Sequence, residues 1–398
     1  MNSEQKVLVT GNGFDLHHCL PTRYSDFLDV IKRLMEMDKE GNIDRCQFLT
    51  YVLGEQSPLY NSNTMIKKCY DVHKAVIDKT RLNTKKLQEM VSIAKENFWM
   101  IYFLERDIKR AGWIDFEKEI ARVIRAFRNV IKELDQKCIN NQGYEVCLED
   151  LVVSMEDYYI VTSEAFHELF YYDEYTRLNQ EFWNTQIIEN EIRYLSADSR
   201  KIAEKLYQSL EEFIEILKWY ITEFVQKIAV TQESKMATLF DCDRVITFNY
   251  TNTFSILYDK HGWLPVSFVH GSAKEGNMVL GVNDDKCDQL KGLDLSFVAF
   301  KKYYQRTYKN TDYDFEKNLP NGSKYKLYFV GHSMDVTDQD ILRALIRDSK
   351  VTQSIIFYHD DESHQQVIKN VIALFGKDEF EKLRRKHKVT FEKLGRFE

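Results

Sequence analysis

The chain has 398 residues, enough for one large domain with an insertion or for two to three ordinary domains, and 44% hydrophobic against 29% charged residues is a globular balance. Its 62 acidic and 55 basic side chains leave a net charge of -7, which excludes a general electrostatic attraction to nucleic acid or to an anionic membrane surface. No apolar run approaches the roughly 20 residues needed to cross a bilayer, and the seven scattered cysteines contain no C-x-x-C pair that would suggest a zinc ribbon or redox pair. The polar start leads straight into the first predicted strand, so the expectation is a soluble, cytoplasmic protein that needs no metal.

That first strand is Val7-Leu8-Val9-Thr10, which breaks into Gly11-Asn12-Gly13-Phe14-Asp15 and then runs through Leu20-Pro21-Thr22 into an amphipathic helix starting near Tyr24. A parallel strand that ends in a glycine turn before a helix usually creates a phosphate-binding crevice, so a nucleotide is the first ligand to consider. Gly11 and Gly13 permit backbone angles and close approaches closed to other residues. The turn is not a dehydrogenase fingerprint: Leu16 stands where G-x-G-x-x-G needs its third glycine, and no strand follows to carry the acidic ribose-binding residue. Hydride transfer is not supported.

Residues 41–235 read as a helical insertion between two portions of an α/β domain, residues 1–40 and 236–398. Within it, Ile120, Val123, Ile124, Phe127, Val130, Ile131 and Leu134 recur at three- and four-residue spacing, and so do Leu206, Leu210, Phe213, Ile214, Leu217, Ile221, Phe224 and Ile228. These are core-facing stripes. Trp99, Trp113, Trp183 and Trp219 fall in the same region, as expected of an insertion with its own core. Asp115 reads as a cap for the helix whose apolar face begins at Ile120, or, with Glu117, as an acidic pair projecting over a pocket.

Strand signals resume after residue 243. Strands are predicted at 244–248, ending at Asn249, at 266–269, ending at His270, at 278–280, at 325–330, ending at Gly331, and at 354–358, with an edge strand at 389–394. Helices are predicted over 337–348 and 362–374. The fold class is therefore α/β, a Rossmann-like parallel sheet with a large helical insertion. Ligands of such sheets sit beyond the carboxyl ends of the strands, where Gly11, Asn249, His270 and Gly331 all fall. An amide at Asn249 suits a water or a ribose hydroxyl, Asn252 suits a helix cap, and His270-Gly271 sets a titratable ring beside a residue that admits close approach.

Taken in order, Gly11-Asn12-Gly13-Phe14-Asp15 with Leu20-Pro21-Thr22-x-Tyr24-x-x-Phe27, Trp113-x-Asp115-x-Glu117, Phe248-Asn249-Tyr250-Thr251-Asn252-Thr253, His270-Gly271, and Gly331-His332-Ser333 followed by Asp338 resemble the AbiH family of bacteriophage abortive-infection proteins. AbiH proteins in turn look like distant relatives of sirtuin-like domains, whose glycine loop, asparagine, histidine before glycine and late G-x-S frame NAD. The resemblance implies an NAD-consuming defence enzyme with Asn249 and His270 catalytic, and with Gly11, Asn12, Gly13, Phe14, Asp15, Gly271, Gly331 and Ser333 lining the dinucleotide. It also implies a phage-derived trigger and is compatible with a homo-oligomer. The four paired zinc cysteines of protein-deacylating sirtuins are missing.

Other readings stay open. A catalytically silent nucleotide sensor acting through a partner or oligomer fits the same composition. Phe329 to Met334 also looks like the nucleophile turn of a serine hydrolase centred on Ser333, with Asp360 and His364 or His387 following in order, although Asp335 replaces the second glycine of G-x-S-x-G. Asp284, Asp285 and Asp288 offer carboxylates for a metal-dependent nuclease but read better as a solvated acidic loop.

Overall fold

The computed structural model describes residues 4–106, 116–141, 146–171, 177–188, 191–229, 241–259, 261–283, 295–311, 319–320 and 323–394. Trp113, Asp115, Asp284, Asp285 and Asp288 lie outside these residues. Eight strands are present among them: β1 (Gln5–Thr10), β2 (Trp183–Ile188), β3 (Glu191–Ala197), β4 (Arg244–Thr247), β5 (Val266–Phe268), β6 (Tyr325–Val330), β7 (Val351–Tyr358) and β8 (Val389–Lys393).

Six of them form one all-parallel sheet in the order β5-β4-β1-β6-β7-β8. Counting only these six in chain sequence, the order is 3-2-1-4-5-6, that of the doubly wound dinucleotide-binding sheet, with its reversal point between β1 and β6. The α/β, Rossmann-like expectation is thus met. β1 reads as a continuous apolar run because both of its faces are covered. Val7 and Val9 pack with Ile246, Leu327, Phe329 and the helices Gln339–Arg347 and Asp361–Phe375. Leu8 points the other way, toward Phe14, Val245, Phe254 and Val330. Thr10 is level with Thr247 and Val330, and Thr247 with Phe268, so β1, β4, β5 and β6 all end on one rim.

The predicted stripes are buried throughout, on the helices Phe116–Asn140 and Ser199–Tyr220 and on the π-helical turn Ile221–Val225 and short helix Gln226–Ile228 that continue the latter. Trp99, Trp183 and Trp219 are buried with them. This helical core is not confined to the insertion. It also takes in Phe27, Val30, Ile31 and Leu34 of the helix Tyr24–Lys39, and Ala273, Met278, Leu280, Phe297 and Phe300 from the later part of the chain.

Three local expectations are corrected. Residues 278–280 form no strand. Their apolar side chains are buried, but Leu280 exchanges two backbone hydrogen bonds, each 3.0 Å, with the side-chain amide of Gln305, and Val279 donates to the His270 carbonyl at 2.8 Å. The residues after Gly11 coil at once into a helix, Asn12–His17. An antiparallel hairpin, β2 with β3, sits within the insertion unforeseen, because Ile187, Ile188 and Ile192 are exposed and follow no one-faced pattern.

Phe213 is the hub of the helical core, with ring centroids 5.6 Å from Phe27, 5.4 Å from Phe103 and 5.2 Å from Phe116. Phe213→Ala is expected to lower unfolding free energy by about 3–5 kcal/mol. Urea titration monitored by circular dichroism measures this, and a loss below about 1 kcal/mol would mean that the helical layer is packed differently.

Candidate functional site

The rim is built by two strand-end turns that touch backbone to backbone. Gly11 N donates to Val330 O at 3.2 Å, Gly13 N to Gly331 O at 2.8 Å, and Phe14 N to Gly11 O at 2.9 Å. Gly331 has φ +66, and a Cβ there would lie 2.1 Å from Phe14 N, while one on Gly13 would lie 2.7 Å from Gly331 Cα. The glycines are therefore required by the meeting of two main chains. Those three amides are spent within the protein, so a phosphate cradle on the Gly11 to Phe14 turn needs this contact to open.

Asn249, just past β4, closes the same knot: its Nδ2 donates to Gly11 O at 3.0 Å. A carbonyl only accepts, so the amide orientation is fixed and Oδ1 remains as an acceptor. Beneath it lies Asp15, 1% exposed, which accepts 2.7 Å from Thr251 Oγ1. Its other oxygen, Oδ1, has no hydrogen-bond partner among the described residues. Burial pushes its carboxyl up to about 6, against the opposing pull of Thr251, Thr253 and Asn249. Asp15 and Asn249 line a narrow cleft together with Thr10, Phe14, Thr247 and Phe268. Asn12 points elsewhere, accepting from Thr22 Oγ1 at 2.6 Å.

His270 follows β5 in line with Asn249 but is not a wall of that cleft. Its ring lies edge-on to Phe248, with centroids 5.5 Å apart, and its Nε2 is 2.8 Å from Asp338 Oδ1. Burial holds its basicity down to about 4, against the raising effect of Asp338, so the ring is neutral near pH 7. Burial alone would raise Asp338, yet Lys302, then His270 and His332, hold it well below the usual carboxylate range. An ionised carboxylate only accepts, hence His270 donates from Nε2 and keeps a bare lone pair on Nδ1. That buried Nδ1 has no hydrogen-bond partner among the described residues. Gly271, with φ +73, turns the chain so tightly that a Cβ would lie 2.1 Å from Asn277 O.

Ser333 is exposed, and its carbonyl accepts from Asn370 Nδ2 at 2.8 Å. Two of the hydrolase partners, Asp360 and His364, have other roles. Asp360 Oδ1 caps the helix Asp361–Phe375 through Ser363 N at 2.8 Å, and the His364 ring stacks on Tyr358 at 3.9 Å. Sequence reasoning passed over Lys302, Thr251 and the ring of His332, and left Glu117 without a partner. Glu117 opens the helix Phe116–Asn140 and meets Lys302 at 2.7 Å. No group of three or more His, Cys, Asp or Glu suited to a metal ion, and no helix long and apolar enough to cross a membrane, occurs among the described residues.

With this rim in view, the sequence model of the family "Bacteriophage abortive infection AbiH" matches residues 7–360, from β1 to the end of β7. The chain belongs to the AbiH family. Membership supports an antiphage, abortive-infection role, and the matched span takes in Asp15, Asn249, His270, Lys302 and Asp338. No curated protein and no solved structure matches the chain.

Asp15 makes the electrostatics of this AbiH cleft measurable. A folded-state value of about 6 against 3.8 unfolded means that the native state holds the extra proton, so its stabilising contribution is full below pH 4 and is lost as pH rises through 6. Asp15→Asn removes that loss. The variant's stability relative to wild type is expected to grow by about 2.5 kcal/mol between pH 4 and pH 7.5. Paired denaturant melts at the two pH values read the difference, and a pH-independent offset would mean that Asp15 is solvated.

Proposed function

We propose that this AbiH protein binds a dinucleotide at the carboxyl ends of β1, β4, β5 and β6 and hydrolyses NAD between nicotinamide and ribose. The observation that carries the reading is a pair of buried acceptors, His270 Nδ1 and Asp15 Oδ1, that have no hydrogen-bond partner among the described residues and sit at the rim of a sheet ordered 3-2-1-4-5-6. Acceptors of that kind suit a ligand that brings hydroxyl or amide donors, as a nicotinamide riboside does. The resemblance of the glycine turn, Asn249 and His270-Gly271 to sirtuin-like NAD sites points to the same ligand. The reading carries a cytoplasmic location with it.

Cleavage of the N-glycosidic bond runs through a transition state with oxocarbenium character. Nicotinamide leaves as a neutral molecule from a cationic ring, so acid catalysis is hardly needed. Positioning and one oriented water do most of the work. Asn249 Oδ1 is suited to orient that water, and the neutral His270 to accept a proton at Nδ1.

The cleft holds free space of about 10 Å³, far below the roughly 300–1,000 Å³ of ordinary ligand pockets. The described form is accordingly read as closed, and a phage-derived trigger as the agent that opens it. The same closure favours a second reading, a nucleotide sensor without turnover that acts through a partner or oligomer. Incubation with NAD, with and without phage lysate, followed by chromatography decides between them. Nicotinamide and ADP-ribose are expected, with turnover down at least about 100-fold in Asn249→Ala and in His270→Ala. Binding without products would favour the sensor, and neither binding nor products under either condition would overturn both.

A further inference from the structure

Asp338 stands at the N-cap of the helix Gln339–Arg347, yet its side chain makes no capping hydrogen bond. An aspartate there ordinarily accepts from the first-turn amides and stabilises the helix by about 1 kcal/mol. Instead the carboxylate turns inward. Oδ1 receives His270 Nε2 at 2.8 Å and Lys302 Nζ at 2.9 Å, and Oδ2 lies 3.8 Å from His332 Nε2. His332 accepts from Met334 N at its Nδ1, 2.9 Å, so its proton sits on Nε2 and faces the same carboxylate.

Lys302 is 2% exposed, and all three of its ammonium hydrogens are engaged: by Asp338 Oδ1, by Thr337 O at 3.0 Å and by Glu117 Oε2 at 2.7 Å. Glu117 belongs to the helical insertion. Its neighbour Lys118 reaches Asp335 Oδ2 at 3.2 Å, so the start of one insertion helix meets the segment leading to Asp338 once directly and once through Lys302. A buried ammonium and carboxylate are tolerable only when this fully paired, because removing one partner strands a charge.

We propose that Asp338 is the positioning residue of His270, and that Lys302, clamped between Asp338 and Glu117, makes the state of that imidazole depend on where the helical insertion sits. The inference rests on His270 acting at the site proposed above, but it concerns the resting imidazole. Asp338 holds the proton on Nε2 and thereby presents Nδ1 bare. Withdrawal of Glu117 leaves Lys302 with two partners and alters the field on Asp338.

The test uses the full chain labelled with [15N]histidine, with the His270 resonances assigned by their loss in His270→Gln. Wild type is expected in the Nε2-H form. Asp338→Ala is expected to give a mixture of tautomers, and Asp338→Glu, which keeps the carboxylate, to recover the Nε2-H signal. Glu117→Gln, at a side chain that does not touch the ring, is expected to shift the His270 resonances. If Asp338→Ala does not fold, the Glu117→Gln spectrum decides alone. An Nε2-H form retained in Asp338→Ala, or resonances unmoved in Glu117→Gln, would overturn the proposal. In protein that consumes NAD, Asp338→Ala should lower kcat about 100-fold with KM within about threefold. Because the tautomer is read without substrate, absence of NAD turnover sinks the enzymatic reading and leaves this one to stand or fall separately.

Discussion

Two turns of main chain meeting at the reversal point of the sheet hold the rest of this structure in place. Gly13 N on Gly331 O, Gly11 N on Val330 O and Asn249 Nδ2 on Gly11 O tie the ends of β1, β4 and β6 into one knot. The knot exists because no side chain intervenes: a Cβ on Gly331 would lie 2.1 Å from Phe14 N. It fixes where β4 stops, and since β5 pairs with β4 through Thr247 and Phe268, it fixes where His270 emerges as well. An open parallel sheet leaves its reversal point as a crevice between loops that diverge. Here the loops converge, and the crevice is largely filled by the protein itself.

Much of this was legible in the sequence, for physical reasons that also mark the limits. β1 announces itself because covering both faces demands unbroken Val7-Leu8-Val9, and the stripe from Ile120 to Leu134 does so because one helix face meets the core. Met278-Val279-Leu280 has the same signature as β1 but no strand beside it among the described residues. Burial shapes the side chains, whereas the hydrogen-bond partner, here the Gln305 amide, leaves no trace in the local pattern. The site divides in the same way. Asn249 and His270 were visible as polar residues capping apolar runs. Lys302 was not, since Phe300-Lys301-Lys302-Tyr303 reads as an ordinary exposed helix start and the burial of one lysine depends on acids about 185 and 36 positions away. Ion pairs between distant segments are properties of the fold, not of any window of sequence.

The polar half of the rim is expensive to maintain. Asp15, His270 and Lys302 are withdrawn from water and Asp338 is largely so, and each is bound by partners drawn from other elements. A sheet of this kind is stable with apolar residues at such positions, so stability alone does not account for them. Asp338 sharpens the point, because it forgoes the cap of its own helix to reach His270. Local rules broken together at one end of a sheet are what a working site looks like, with the compensation supplied by the apolar layers on either side.

Those layers also join the rim to the helices. The helix Tyr24–Lys39 follows the glycine turn by few residues and buries Phe27 against Phe213 of the insertion, while Tyr24 stacks on Phe116 with centroids 4.0 Å apart. Phe116 directly precedes Glu117. One short stretch of the insertion therefore leans on the chain leaving the glycine turn and also reaches, through Lys302, the carboxylate that holds His270. Packed cores have discrete arrangements and do not deform continuously. A displacement of the helix Phe116–Asn140 is not confined to the helical layer, because its first turn pairs with Lys302 as well as stacking on Tyr24. The insertion thus meets the supports of the rim at Phe116 and Glu117, and through Lys302 it reaches the carboxylate that holds His270.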